Sequence, residues 1–354
     1  MRSTGGLTLL RRFSSLNEAE PVHSLPFILR ARIRTAKSDS RFETMSEATP
    51  SKWNTISDID YFLKNASASP RELSVLAWSV SKLSLDDPEV WSKLIAKFTQ
   101  LHSVDFPDTC AFLFSLSSAV TRDAASVPEP CLQTLETWLA NSMKNSLPDA
   151  NLADLAQACY SFAVLFHQSP LVRPLLKRTE TVLTSLPLRE SEDNIPSLSS
   201  CREVCLLWSA CRVLRKVSPR FIDALSEASR GLRFCSDFNQ NKVAQLCDNI
   251  SFLNVDDPRV VYAVILFVAK NASEINAKNL LRIIRGMSRL QVDNEVVWKR
   301  LAGRMEDPIG LRYSVRELEE IRNAFRIYKK NQRIFGILDL YIRTKLDASK
   351  YGPT

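Results

Sequence analysis

The sequence predicts an all-α protein, an α-solenoid of about seven helical hairpins at 37–49-residue spacing. Three observations predict it. An apolar stripe of helical period recurs, beginning at residues 73, 110, 155, 204, 243, 280 and 318. An Asp-Pro or Ser-Pro dipeptide follows four of the copies, its proline five residues past the last stripe position. Glycine is scarce: eight in 354 residues, two of them among the first six. Phosphate-cradling loops and tight hairpins rely on glycine's positive φ, so this scarcity argues against nucleotide-binding α/β folds and against all-β folds.

The first clear helix carries Leu73, Leu76, Ala77, Val80 and Leu83 on one stripe. Ser69-Pro70-Arg71-Glu72 before it has the form of a capping box with proline in the first turn. Asp87-Pro88 then opens a partner helix whose apolar face is Val90, Trp91, Leu94, Ile95 and Phe98. A degenerate copy begins near Cys110 with Leu113 and Phe114. The next has Leu155, Ala158, Cys159, Phe162 and Leu165, with Ser169-Pro170 opening its partner. Val204, Leu207, Trp208, Cys211 and Leu214 follow, then Ser218-Pro219. Val243, Leu246, Cys247, Ile250 and Leu253 come next, then Asp257-Pro258. Leu280, Ile283, Ile284, Met287 and Leu290 lead to Asn294 and a partner with Val297, Trp298 and Leu301. The last copy has Leu318, Ile321, Phe325 and Tyr328. One hairpin cannot bury its apolar face alone, so neighbours must stack. Residues 121–130 and 187–200, rich in Ser, Pro and acids, are expected as surface loops.

The repeat array is expected over residues 51–347, with a disordered tail at 348–354. Residues 1–17 hold Arg2, Arg11 and Arg12, no acid, and several Ser and Thr. That is the composition of an organelle transit peptide, and Arg11-Arg12-Phe13-Ser14-Ser15 has the form of a mitochondrial processing site cut after Phe13. Residues 18–50 are polar and expected to continue this segment as disorder, making 1–50 a non-folded leader. The destination expected is the mitochondrial matrix, with a plastid as the alternative. The longest apolar run, Val260 to Ala269, is about half of what spans a bilayer, so no membrane association is expected.

The net charge of +8 is unevenly spread: +4 over residues 1–45, −6 over 46–200 and +10 over 201–354. A basic half suits a polyanionic partner, although solvated Arg/Lys faces are also common. The eight cysteines form no C-x-x-C pair and most lie in apolar helical stretches, which points to buried thiols in a reducing compartment. Cys201, Cys205 and His167 fit no common zinc pattern. No G-x-G-x-x-G, G-x-x-x-x-G-K-[ST] or H-E-x-x-H is present. The acidic pairs Asp86-Asp87 and Asp256-Asp257 fall at the helix-opening register, where capping accounts for them. No enzyme activity, cofactor, metal or small-molecule substrate is expected.

The register Glu72-Leu73-x-x-Leu76-Ala77-Trp78-Ser79-x-x-Lys82-Leu83 resembles the signature helix of the octotricopeptide and heptatricopeptide repeat proteins of organelles. Residues 155–165 and 280–290 match it more loosely. Similar arrays occur in the Fas-activated kinase-like mitochondrial proteins and in kinetoplastid RNA-editing substrate-binding proteins. The resemblance covers roughly residues 53–347 and implies an organellar RNA-binding or RNA-processing factor, or a component of a mitochondrial ribosome. Many relatives end in a RAP domain suspected of nuclease-like chemistry. Here the chain stops at Thr354, just after a helix ending near Leu346, so no such domain and no nuclease role are expected.

On that reading the first helix of each hairpin lines a concave surface, and its positions between the stripe residues face the RNA. These are Arg212, Arg215 and Lys216 in one copy, Arg282, Arg285 and Arg289 in another, and Arg322, Arg326, Lys329, Lys330 and Arg333 in the last. Single-stranded or ribosomal RNA would run its phosphates along them. Trp78, Tyr160, Gln245, Asn249 and Asn323 stand at places for stacking on or reading bases, or else pack between repeats. The alternative function is a protein–protein scaffold, such as a structural subunit of the mitochondrial ribosome or of another large matrix assembly.

Overall fold

In the computed structural model, helix starts are set where the sequence places its caps. The residues described are 25–38, 52–85, 87–122, 126–188, 194–307, 309, 312–327 and 332–350. The processing site expected after Phe13 lies outside them. Ser69 accepts the Glu72 N–H at 3.3 Å while Glu72 accepts the Ser69 N–H at 2.7 Å. Ser314 and Glu317 repeat the box, at 3.3 and 2.8 Å. Asp87, Ser218, Asp257, Asn276 and Asn294 each accept a first-turn N–H. Ser169-Pro170 departs from the expected pattern: Ser169 Oγ accepts the Leu171 N–H and forms a turn, and the helix begins at Val172.

The described residues are all-α, and the chain divides into two compact units, Met1–Ala150 and Asn151–Thr354. The first holds α1 (Leu25–Ser38), α2 (Lys52–Asn65), α3 (Pro70–Leu83), α4 (Pro88–Thr99), α5 (Phe106–Val120) and α6 (Glu129–Ser146). The odd-numbered helices pack on one another in sequence and so do the even-numbered ones, giving two layers. The second unit holds α7 (Leu152–Leu165), α8 (Val172–Thr184), α9 (Arg202–Leu214), α10 (Pro219–Ser229), α11 (Gln240–Phe252), α12 (Pro258–Asn271), α13 (Ala277–Arg289), α14 (Glu295–Glu306), α15 (Val315–Ile327) and α16 (Gln332–Lys350). Its layers are α7-α9-α11-α13-α15 and α8-α10-α12-α14-α16. Each unit is thus a solenoid-like stack of hairpins. The loop at 187–200 carries one isolated bridge, Leu188 to Pro196. No described helix is long and apolar enough to cross a membrane.

Helix α1 corrects the expectation of disorder through residue 50. Leu25, Leu29 and Ile33 form a short stripe at i, i+4, i+8, which the surrounding arginines conceal in the composition. Leu29 is buried and α1 packs along α3. The Arg30 guanidinium lies 5.7 Å from the Trp78 ring centre.

Most stripe residues form the core, Trp91, Trp208, Phe98 and Phe162 being fully buried, while the last position, Leu83, Leu165, Leu214, Leu253 and Leu290, is half-buried. In the degenerate copy Phe112, not the expected Phe114, is fully buried, and Tyr328 lies outside the described residues. Phe98 and Phe112 stack at 4.0 Å, and the buried Trp208 Nε1–H donates to Ser229 Oγ at 3.0 Å. All eight cysteines are free thiols and six are buried. Burial pushes the Cys159 and Cys247 thiols up to about 12, which keeps them protonated and unreactive.

The first-layer helices end without glycine. Eleven residues after the stripe start, Ser84, Arg215, Asn254 and Gln291 take φ of 51, 58, 53 and 52°. After three of them an apolar residue bonds back five positions: Leu85 N–H to Val80 O, Val255 to Ile250 and Val292 to Met287. A side chain in this region costs about 1–2 kcal/mol that glycine avoids. Gln291→Gly is therefore expected to raise stability by about 1 kcal/mol, read as a higher urea midpoint at unchanged slope.

Candidate nucleic-acid interface

The first-layer helices of the second unit are joined by a repeated polar rung. Gln245 Nε2–H donates to Ser209 Oγ at 2.9 Å, Arg282 Nε–H to Asp248 Oδ2 at 2.6 Å, and Arg285 Nε–H to Glu320 Oε2 at 2.6 Å. Each rung links the fifth position after one stripe start to the second position after the next. Adjacent first-layer helices pack side by side, so this diagonal is the shortest path between their solvent edges.

The rungs revise the expected RNA face. Arg282 and Arg285, read as open phosphate donors, have their charge matched by an acid of the neighbouring hairpin. Arg322 sits 3.1 Å from Asp339 Oδ1 of α16, and Arg333 3.4 Å from Glu306. Asn249 is buried: its Nδ2–H donates to Ser209 Oγ at 2.9 Å and its Oδ1 accepts from Arg212 at 3.4 Å. It packs between repeats. Gln245 is taken up by its rung, and Trp78 and Tyr160 are half-buried, whereas Asn323 is exposed. Lys329 and Lys330 lie outside the described residues.

What stays open is the edge formed by the C-terminal ends of the same helices. Arg215 and Lys216 after α9, Arg289 at the end of α13 and Arg326 near the end of α15 are exposed, and none forms an ion pair with a described residue. The partial negative charge of a helix C-terminus favours cations there. Between them, at the end of α11, Phe252 is 42% exposed. The Arg212 and Arg215 guanidiniums lie 4.9 and 5.6 Å from its ring centre. Sequence reasoning missed Phe252 because the apolar stripe absorbs nearby Ile250 and Leu253. The available signal was its place 37 residues from both Arg215 and Arg289.

The second layer carries another arginine cluster around a shallow cleft of about 340 Å³ lined by Arg230, Arg233, Arg259 and Tyr262. Arg259 pairs with Asp223, Glu227 and Asp257, and Arg230 with Glu227. Three carboxylates thus face three guanidiniums, so charge gives this cleft no preference for an anion. Where the loop before α9 meets the start of α11, Asp237 accepts from the Cys201 N–H at 3.1 Å, the Ser200 hydroxyl at 3.0 Å and the Lys242 ammonium at 2.5 Å. Among the described residues no group of three or more His, Cys, Asp or Glu is placed to hold a metal.

These pairings set an acid limit. Burial opposes the charge of Asp237, but Lys242, the Cys201 N–H and Ser200 outweigh it and hold the carboxyl well below the usual range. Arg259 lowers Asp257, and the Ser314 N–H and hydroxyl lower Glu317. Depressed folded values give stability that is complete above the unfolded carboxylate values near 4 and is lost as pH falls through the folded ones. Burial raises Asp108 and Asp154, which opposes the trend at two positions against three. The expected melting temperature is level from about pH 8 to 6 and falls below about pH 4. A rise on acidification to pH 3 would contradict this.

No model of a known protein family matches the chain, and no curated protein matches it.

Proposed function

We propose that this chain is a non-catalytic RNA-binding helical-repeat protein of an organelle, of the octotricopeptide and heptatricopeptide kind. It acts in mitochondrial RNA processing, stability or translation. The observation that carries the reading is the open cationic edge of the second unit, Arg215, Lys216, Arg289 and Arg326 at the ends of helices stacked side by side. Helices packed at about 8–10 Å repeat a phosphate donor along the stack, which suits a single strand running across the repeats. The transit-like composition of residues 1–17 supports the matrix as its location.

A second reading, a protein scaffold within a large matrix assembly, draws support from the neutralised rungs and the net −6 of residues 46–200. Co-sedimentation from an organelle lysate with and without ribonuclease separates the two. Loss of the heavy fraction after ribonuclease is the result expected for the RNA reading. Survival of that fraction would favour the scaffold.

A further inference from the structure

The geometry points to Phe252 as the platform on which one base of the bound strand stacks, an inference that rests on the RNA-binding reading above. An aromatic ring 42% exposed at a helix end gains little from the core of its own repeat. Here it is held from the preceding hairpin, by Arg212 and Arg215 at 4.9 and 5.6 Å. A nucleotide offers a flat base and an anionic phosphate. The ring supplies the π surface, and the exposed Arg215 near it, with the exposed Lys216 next in sequence, supplies the phosphate donors. Every base has a π face, so such a platform adds affinity with little base preference. The next helix end in the row carries Arg289, which supplies charge alone.

The test uses the full-length protein and two labelled strands of about 15 nucleotides, oligouridylate and an abasic ribose-phosphate polymer of equal charge. Phe252→Ala is expected to weaken oligouridylate binding about 5- to 150-fold and abasic binding by less than about twofold, with the salt slope unchanged. Phe252→Leu is expected to behave like Ala, and Phe252→Tyr like the parent. The residue is partly exposed, and circular dichroism with thermal melts confirms that each variant folds. Unchanged oligouridylate affinity in Phe252→Ala, alongside weakened binding in Arg289→Glu/Arg326→Glu, would overturn the platform and leave the RNA reading standing. Failure of the parent to bind either strand would overturn both.

Discussion

Gly286→Ala is expected to destabilise the second unit by about 2 kcal/mol, although alanine is the better helix former by about 1 kcal/mol. Gly286 lies inside α13, where the helix crosses α11. A Cβ there would run into Cys247 Sγ and come within 3.0 Å of the Cys247 carbonyl oxygen. Cys247 is fully buried, and its thiol spans 3.7 Å to the Ile283 carbonyl, so it has nowhere to go. In a Cys247→Ala background the cost of Gly286→Ala is expected to fall below about 1 kcal/mol, a coupling that urea denaturation of the four proteins in the cycle would measure. Additive effects would mean that the two helices do not meet at this pair. The few glycines of this chain therefore include one kept for close approach of two helices; among the described glycines none has positive φ.

The second large effect separates the rungs from the edge. Arg215→Glu, Arg289→Glu and Arg326→Glu together remove three open cations and add three like charges to the proposed phosphate path. RNA affinity is expected to drop about 100-fold or more, and the salt slope to shrink by about 2, since each single-strand phosphate contributes about 0.7. The swap Arg285→Glu/Glu320→Arg keeps both net charge and rung, and is expected to leave affinity within about threefold. Arg285→Glu alone sets two acids against each other at a partly exposed site and is expected to cost about 1 kcal/mol of stability. Replacing Arg282, Arg285 and Arg289 together would mix the two effects, because the first two hold hairpins to one another.

The hairpins, their caps and their core were legible because each depends on residues close in sequence. Ser69 reaches Glu72, Asn294 reaches Val297, and the stripe from Leu280 to Met287 is one side of one helix. Three parts were not. Helix α1 rests on Leu25, Leu29 and Ile33 among basic residues, too short a stripe to register until α3 is there to receive it. The pairing of Arg282 and Arg285 depends on acids 34 and 35 residues away, and helical spacing alone does not reach that far. Aligning the copies by stripe start sets Asp248 level with Arg285 and Arg282 level with Glu320, so the observed pairs, three positions off that alignment, show only once the packed helices are in place. The open edge was half legible: the sequence shows Arg215, Lys216, Arg289 and Arg326 as helix-end cations, but helical spacing places the rung arginines on the same face. Phe252 was passed over because a phenylalanine near a stripe reads as core.

On the proposed function, the second unit holds single-stranded RNA by an open row of helix-end cations. The most direct test is the affinity of the full-length protein for a labelled single-stranded RNA pool across a salt series. The expected result is saturable binding with a log–log slope between about −2 and −3, equivalent to three or four phosphates. A slope near zero, or no saturable binding at low salt, would contradict it.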